Sequence, residues 1–186
     1  MRLATFLLLS GACAGRESPP AQEAAAPPAA AASGIEPCST LTPEEIQAAV
    51  GWTVARSDPK SSPGYFSCTW ASAKGGSVMP PETVEAGITM CFTNIPCSNV
   101  DMPGQFANSA AMAELRRGVY KGTSYEAMNP MVEPVEGLGV PAVIHELGGL
   151  YSMEMFLGEE KIAYVTLWTG ADAARALGEK VLQRVR

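Results

Sequence analysis

Histidine is almost missing from this sequence: among 186 residues the single imidazole is His145. Its scarcity removes the commonest general base and metal ligand from every position but one. His145 sits in "AVIHEL", whose local sequence supplies no partner for it, so it reads as a polar side chain on a strand. G-x-S-x-G, the P-loop, H-E-x-x-H and C-x-x-C do not occur either. Elbow-type hydrolysis, phosphate cradling, zinc peptidase and thioredoxin-like redox chemistry therefore lack their signatures. Positive charge is short as well, with Lys and Arg at 13 against 19 for Asp and Glu and a formal net charge of -6. The bases are scattered, and Arg116, Arg117 and Lys121 form the densest group. Phosphate backbones are bound by a clustered positive field, so nucleic acid is not an expected partner.

What the chain does have is a divided organisation. Residues Leu3 to Leu9 form an apolar run of about seven, far short of the roughly 20 needed to span a bilayer. With Arg2 before it, the run suits the h-region of a signal peptide over residues 1–12. The box that follows, Leu9-Ser10-Gly11-Ala12-Cys13, resembles the end of the signal in bacterial lipoproteins, although Ser10 stands where leucine is usual. That resemblance implies cleavage before Cys13 and a diacylglycerol on its sulfur, with a further acyl chain such as palmitate on the new amino terminus. Several acyl chains anchor stably where one alone does not. Cleavage at the same place by the ordinary signal peptidase is the alternative, because the box residues are small. Residues 13–35 continue as "CAGRESPPAQEAAAPPAAAASGI", too poor in bulky apolar side chains to offset the entropy of ordering, and read as a disordered tether.

Residues 36–186 are long enough for one globular domain. In "PCSTLTPEEIQAAVGW", Thr42 and Glu45 have capping-box spacing, Pro43 suits the first helical position, Leu41 and Ile46 suit a hydrophobic staple, and Gly51 suits the stop. Strand-like runs follow in "TVARS", "YFSCTWA" and "VEAGITMCF". A helix fits "QFANSAAMAELRRG", with Phe106, Ala110 and Ala113 on one face and Gly118 as its stop. "AVIHEL", "LYSMEMFL" and "IAYVTLW" then read as an antiparallel meander with turns at "GG" and "GEEK". A last helix from Ala171 carries Ala174, Leu177, Val181 and Val185 as a stripe. Together these predict an α+β fold, a mainly antiparallel sheet flanked by helices.

Five cysteines less the lipidated one leave four, an even number that suggests two disulfides in an exported domain. Strand parity puts Cys68 in phase with Phe66 and Trp70, towards the core. Cys91 is out of phase with Ala86, Ile88, Met90 and Phe92, which disfavours a Cys68 to Cys91 bridge. The expected pairs are Cys38 with Cys68 and Cys91 with Cys97.

Three stretches match chemical motifs by letter but not by context. "GLGVPA" (137–142) fits G-x-G-x-x-A, but Pro141 and the following strand deny it the helix amino terminus that would hold a pyrophosphate. "SDPK" (57–60) fits S-x-x-K, but its proline-rich surroundings read as a loop. Met90, Cys91, Cys97 and Met102 are soft ligands that suit Cu(I), against which stands the simpler disulfide loop. Tyr151, Met153, Met155, Tyr164 and Trp168 have strand spacing and would line an apolar pocket or fill the core.

"PCSTLTPEEIQAAVG", "SCTW", "VEGLGVPA", "LYSMEMFLGEEKIAYVTLW" and "ALGEKVLQRV" together resemble the small lipid-anchored proteins of unknown function of actinobacterial-type envelopes. Here the usual GLGD reads "GLGV". That resemblance implies a PsbP-like fold and brings no catalytic residues. The expectation is an exported, membrane-anchored envelope lipoprotein that acts as a binding or scaffolding module for a small apolar ligand or an envelope protein. No enzyme activity, cofactor or resident metal is expected. The alternatives are metal handling and an envelope enzyme, which would need Glu146 and Glu154 to meet His145 in a cleft. A non-reduced digest should yield the linked peptide pairs Cys38/Cys68 and Cys91/Cys97; a Cys68/Cys91 pair would contradict the parity argument.

Overall fold

The computed structural model of the chain describes residues 36–62, 64–74, 82–90, 106–158 and 161–186. Cys13, the expected signal and tether, and the stretch with Cys91, Cys97 and Met102 lie outside the described residues, as does the side chain of Met90. The Cys91 to Cys97 pairing and the copper set therefore lie outside them too.

The first helix, α1 (Pro43–Val50), begins as its sequence dictates. Thr42 Oγ1 accepts the Glu45 N–H at 3.3 Å, and the Glu45 carboxylate accepts the Thr42 N–H at 2.9 Å. Gly51 ends the helix at φ 80°, a left-handed conformation that only glycine takes without strain. Glu45 also receives both arms of Arg184, at 2.7 and 2.8 Å, which ties α1 to the last helix. This guanidinium holds the Glu45 carboxyl below its ordinary range.

Seven strands form one sheet in the order β1-β2-β3-β7-β6-β5-β4, antiparallel at every pairing. They are β1 (Arg56–Ser62), β2 (Tyr65–Ala71), β3 (Thr83–Met90), β4 (Met131–Pro134), β5 (Ala142–Leu147), β6 (Leu150–Gly158) and β7 (Lys161–Leu167). The first three and the last four are each a meander, and the two meanders join where β3 meets β7. With α1, α2 (Ser109–Tyr120) and α3 (Ala171–Val185), this is the expected α+β architecture.

Several details differ from the sequence expectation. β1 starts at Arg56, so most of "TVARS" precedes it, and Ser57 to Lys60 lie in the strand rather than in a loop. The reason is its place at the sheet edge: every residue of β1 is exposed, and an edge tolerates Pro59 where a central strand would lose a ladder bond. The short β4 had no clear periodicity to announce it. α2 runs through Gly118 to Tyr120, and Ala110 is exposed rather than inward; the buried stripe is Ser109, Met112, Ala113, Arg116 and Tyr120.

The sheet has two unlike faces. On the first, α1 and α3 cover a core of Ile46, Trp70, Val84, Met153, Met155, Val165, Leu167, Leu177 and Val181, each at most 1% exposed. Cys68 belongs to this face and is joined to Cys38, which fastens the Pro37–Ser39 turn to β2. A bridge that closes a loop of 30 residues is worth about 3–4 kcal/mol in the chain-entropy model. On the second face α2 packs mainly against β4 and β5, around Met112, Ala113, Tyr120, Val132 and Val143. Its start is fixed by Ser109, whose Oγ donates to Val135 O at 2.7 Å and accepts from Ala142 N at 3.2 Å, so "GLGVPA" is the loop between.

Gly87 in β3 lies between Ser67 on β2 and Tyr164 on β7. A Cβ there would collide with the Phe66 carbonyl oxygen and come within 2.7 Å of Ser67 Cα, both backbone atoms that cannot swing aside. Gly118, in contrast, has open space around its Cα on the exposed side of α2. Denaturant unfolding should show Gly87→Ala destabilised by about 1–3 kcal/mol through overpacking. Gly118→Ala should be stabilised by about 0.5–1 kcal/mol through helix propensity.

Candidate functional site

Because α2 covers only one end of the second face, the strands beside it are left with polar residues and a cavity of about 380 Å³. Strand alternation decides what lines it. His145 and Leu147 of β5, Ser152 and Glu154 of β6, Ile162, Tyr164 and Thr166 of β7, Glu85 and Thr89 of β3 and Tyr65 of β2 all project to this side. α2 adds Arg116 and Tyr120, four residues apart and so on one helix face.

One wall is a chain of hydrogen bonds. Arg116 holds the Glu154 carboxylate with two nitrogens, Nε to Oε2 at 3.2 Å and Nη2 to Oε1. His145 Nε2 lies 3.2 Å from the same Oε1, and its Nδ1 lies 2.8 Å from Tyr120 Oη. His145 opposes Ser152 in the ladder, so Glu154 is its diagonal neighbour on the adjacent strand, within reach of a long side chain. All four residues are between 2% and 8% exposed. Burial, and secondarily the Arg116 charge, hold the imidazole down to about 3, so it is neutral at pH 7. A neutral ring beside a carboxylate is assigned as the Nε2–H tautomer, which leaves Nδ1 to accept the Tyr120 hydroxyl. Burial lowers Arg116 to about 10, which still leaves it charged, and raises the Tyr120 phenol.

The other wall is centred on Glu85. Its Oε1 accepts hydroxyls from Tyr65 at 2.7 Å, Ser67 at 2.9 Å and Tyr164 at 3.0 Å. Tyr164 reaches this cluster across β3 because the residue it passes is Gly87, which has no side chain. Burial, the Tyr65 hydrogen bond and the Glu85 charge all raise the Tyr164 phenol. Ser152 and Thr166 share a hydrogen bond of 2.9 Å on the floor.

Of the aromatic and sulfur residues expected to line a pocket or fill the core, Tyr164 lines this cavity. Met153 and Met155 fill the opposite core, Tyr151 packs against it, and Trp168 lies over Gly149. The five combine both strand phases, so they do not share a face. His145, expected as an isolated polar strand residue, instead has partners from α2 and β6. Glu154 meets it, whereas Glu146 points away and caps the β5–β6 turn through the Gly149 N–H. Arg116, Tyr120, Tyr65 and Glu85 escaped the sequence reading. One available signal was "SMEMF", where a Glu sits between two core methionines and must face the other way. Among the described residues no group of three or more His, Cys, Asp or Glu is placed to hold a metal ion, and no helix is long and apolar enough to cross a membrane. No family model, curated protein or solved structure matches the chain.

Proton linkage offers a direct check on the buried imidazole. Above pH 6.5 neither folded nor unfolded chain protonates His145; below it the unfolded chain takes up a proton that the folded chain, at about 3, refuses. Stability should therefore fall as pH drops from about 6.5, by up to about 1.4 kcal/mol per unit, and the loss should level off near pH 3, where the folded chain also takes up the proton. As this is the chain's one histidine, His145→Gln should flatten the urea-unfolding free energy between pH 6.5 and 5.5.

Proposed function

We propose that the protein is an envelope lipoprotein, anchored through Cys13 and held off the membrane by residues 14–35, whose domain binds a small polar molecule in the cavity between α2 and the sheet. The observation that carries this reading is a concave site of about 380 Å³, within the range of small-molecule sites, lined by polar groups that are already fixed by one another. A ligand entering it meets a prearranged surface and loses little to reorganisation. The ligand is expected to be polar rather than apolar, because the face that carries the cavity is the hydroxyl- and carboxylate-bearing one.

A second reading as an enzyme is favoured by the meeting of His145 with Glu154 beside Tyr120. The binding reading is preferred on chemical grounds. A general base or acid works best with a pKa near the operating pH, whereas burial holds this imidazole far below it and the phenol above its ordinary value. Both ring nitrogens are also engaged within the protein.

Native mass spectrometry of protein extracted from membranes should show a retained small molecule released on unfolding. The amino-terminal peptide of the same sample should begin at Cys13 and carry acyl mass. An unmodified chain that starts at Met1 and has no adduct would overturn both parts.

A further inference from the structure

Around Glu85 the hydroxyl hydrogens are already engaged, and what that wall offers a guest is lone pairs and one negative charge. Arg116 is the guanidinium of the lining, and it is neutralised by Glu154. Glu85 makes no ion pair with any described residue: three hydroxyls stabilise it, all at Oε1. Glu85 is half-buried and lines the cavity, and its Oε2 takes no hydrogen bond from a described residue. The Tyr65 hydroxyl donates to Glu85, the Tyr164 hydroxyl donates to Glu85 or to Tyr65 Oη at 3.1 Å, and the Tyr120 hydroxyl donates to His145, so these phenols meet a guest as acceptors rather than donors.

The rings repeat the same preference. Tyr65 and Tyr164 flank Glu85, and Tyr120 and Tyr125 stand edge-to-face at 6.5 Å near the other wall. Aromatic faces carry the negative part of the ring quadrupole and attract cations, the more so out of water. Leu147, Leu150 and Ile162 give the lining its apolar part. An anion would have to enter beside Glu85 with no lining cation but the Glu154-paired Arg116 among the described residues, and a desolvated like-charge contact is strongly unfavourable.

From this inventory we infer that the ligand is a protonated organic amine, its ammonium group on Glu85 Oε2 between the Tyr65 and Tyr164 rings and its apolar part against Leu147, Leu150 and Ile162. This assignment rests on the reading of the cavity as a ligand site and adds the charge of what fills it.

The test uses three probes of one shape and different charge, benzylammonium, benzyl alcohol and benzoate, titrated at pH 7 into the purified full chain by calorimetry and by NMR. Benzylammonium should bind at least ten-fold more tightly than either of the others. Glu85→Gln should remove that advantage, bringing benzylammonium affinity down to that of benzyl alcohol measured on the same variant. The comparison on the unaltered chain decides the matter even if the variant folds poorly. Equal affinity for benzyl alcohol, or a preference for benzoate, would overturn the amine and leave a small-ligand site standing. No binding of any of the three would overturn both.

Discussion

A buried pair of opposite charges, Arg116 on α2 and Glu154 on β6, governs how this molecule is put together on its second face. Withdrawing either ion from water costs several kcal/mol, and only the two-pronged contact between them offsets it. The requirement is geometric. α2 must sit with Arg116 over Glu154, which also places Tyr120, one turn further on, over His145. A helix held only by Met112 and Ala113 could slide along the strands at small cost, since apolar contacts have no direction. The ion pair supplies the direction together with the Ser109 hydrogen bonds at the helix start, and the Glu154 carboxylate beside Nε2 matches the tautomer assigned to His145.

The two sheet faces carry different kinds of side chain. Alternation along β6 and β7 sends Met153, Met155, Val165 and Leu167 to the α1 and α3 side and Ser152, Glu154, Tyr164 and Thr166 to the other. The disulfide and the Glu45 to Arg184 clamp both belong to the apolar side. A sheet stiffened from behind can carry a polar cavity in front without collapsing it. The face with the site need not be the face that folds the protein.

The fold was largely legible because its signals are local. A capping box, a proline at the first helical position and a glycine at the end define α1 within ten residues, and period-two alternation defines β2, β5, β6 and β7 almost to the residue. Cys68 was placed correctly by the same parity. What failed was whatever depends on neighbours distant in sequence: β1 as an exposed edge strand, the reach of α2 past Gly118, and the short β4. The site was the least legible part. Its partners are spread from Tyr65 to Thr166, and an Arg, a Tyr, a Glu and a His each look ordinary in their own segment. Grouping Tyr151, Met153 and Tyr164 by residue type mixed the two faces, where grouping by phase would have separated Ser152, Glu154, Tyr164 and Thr166 as one polar surface.

Phase also explains why the groups of the polar surface satisfy one another. Each of its strong groups is satisfied inside the protein: Arg116 by Glu154, Glu154 by Arg116 and His145, His145 by Tyr120, and Glu85 Oε1 by three hydroxyls. A network closed in this way keeps its protons where they are at neutral pH, because moving one would leave a buried charge or an unpaired donor somewhere along it. The same closure keeps the lone pairs of Tyr65, Tyr120 and Tyr164 and the free edge of Glu85 in fixed places. Rigid acceptors of that kind, on the proposed binding reading, would select a guest by what it donates.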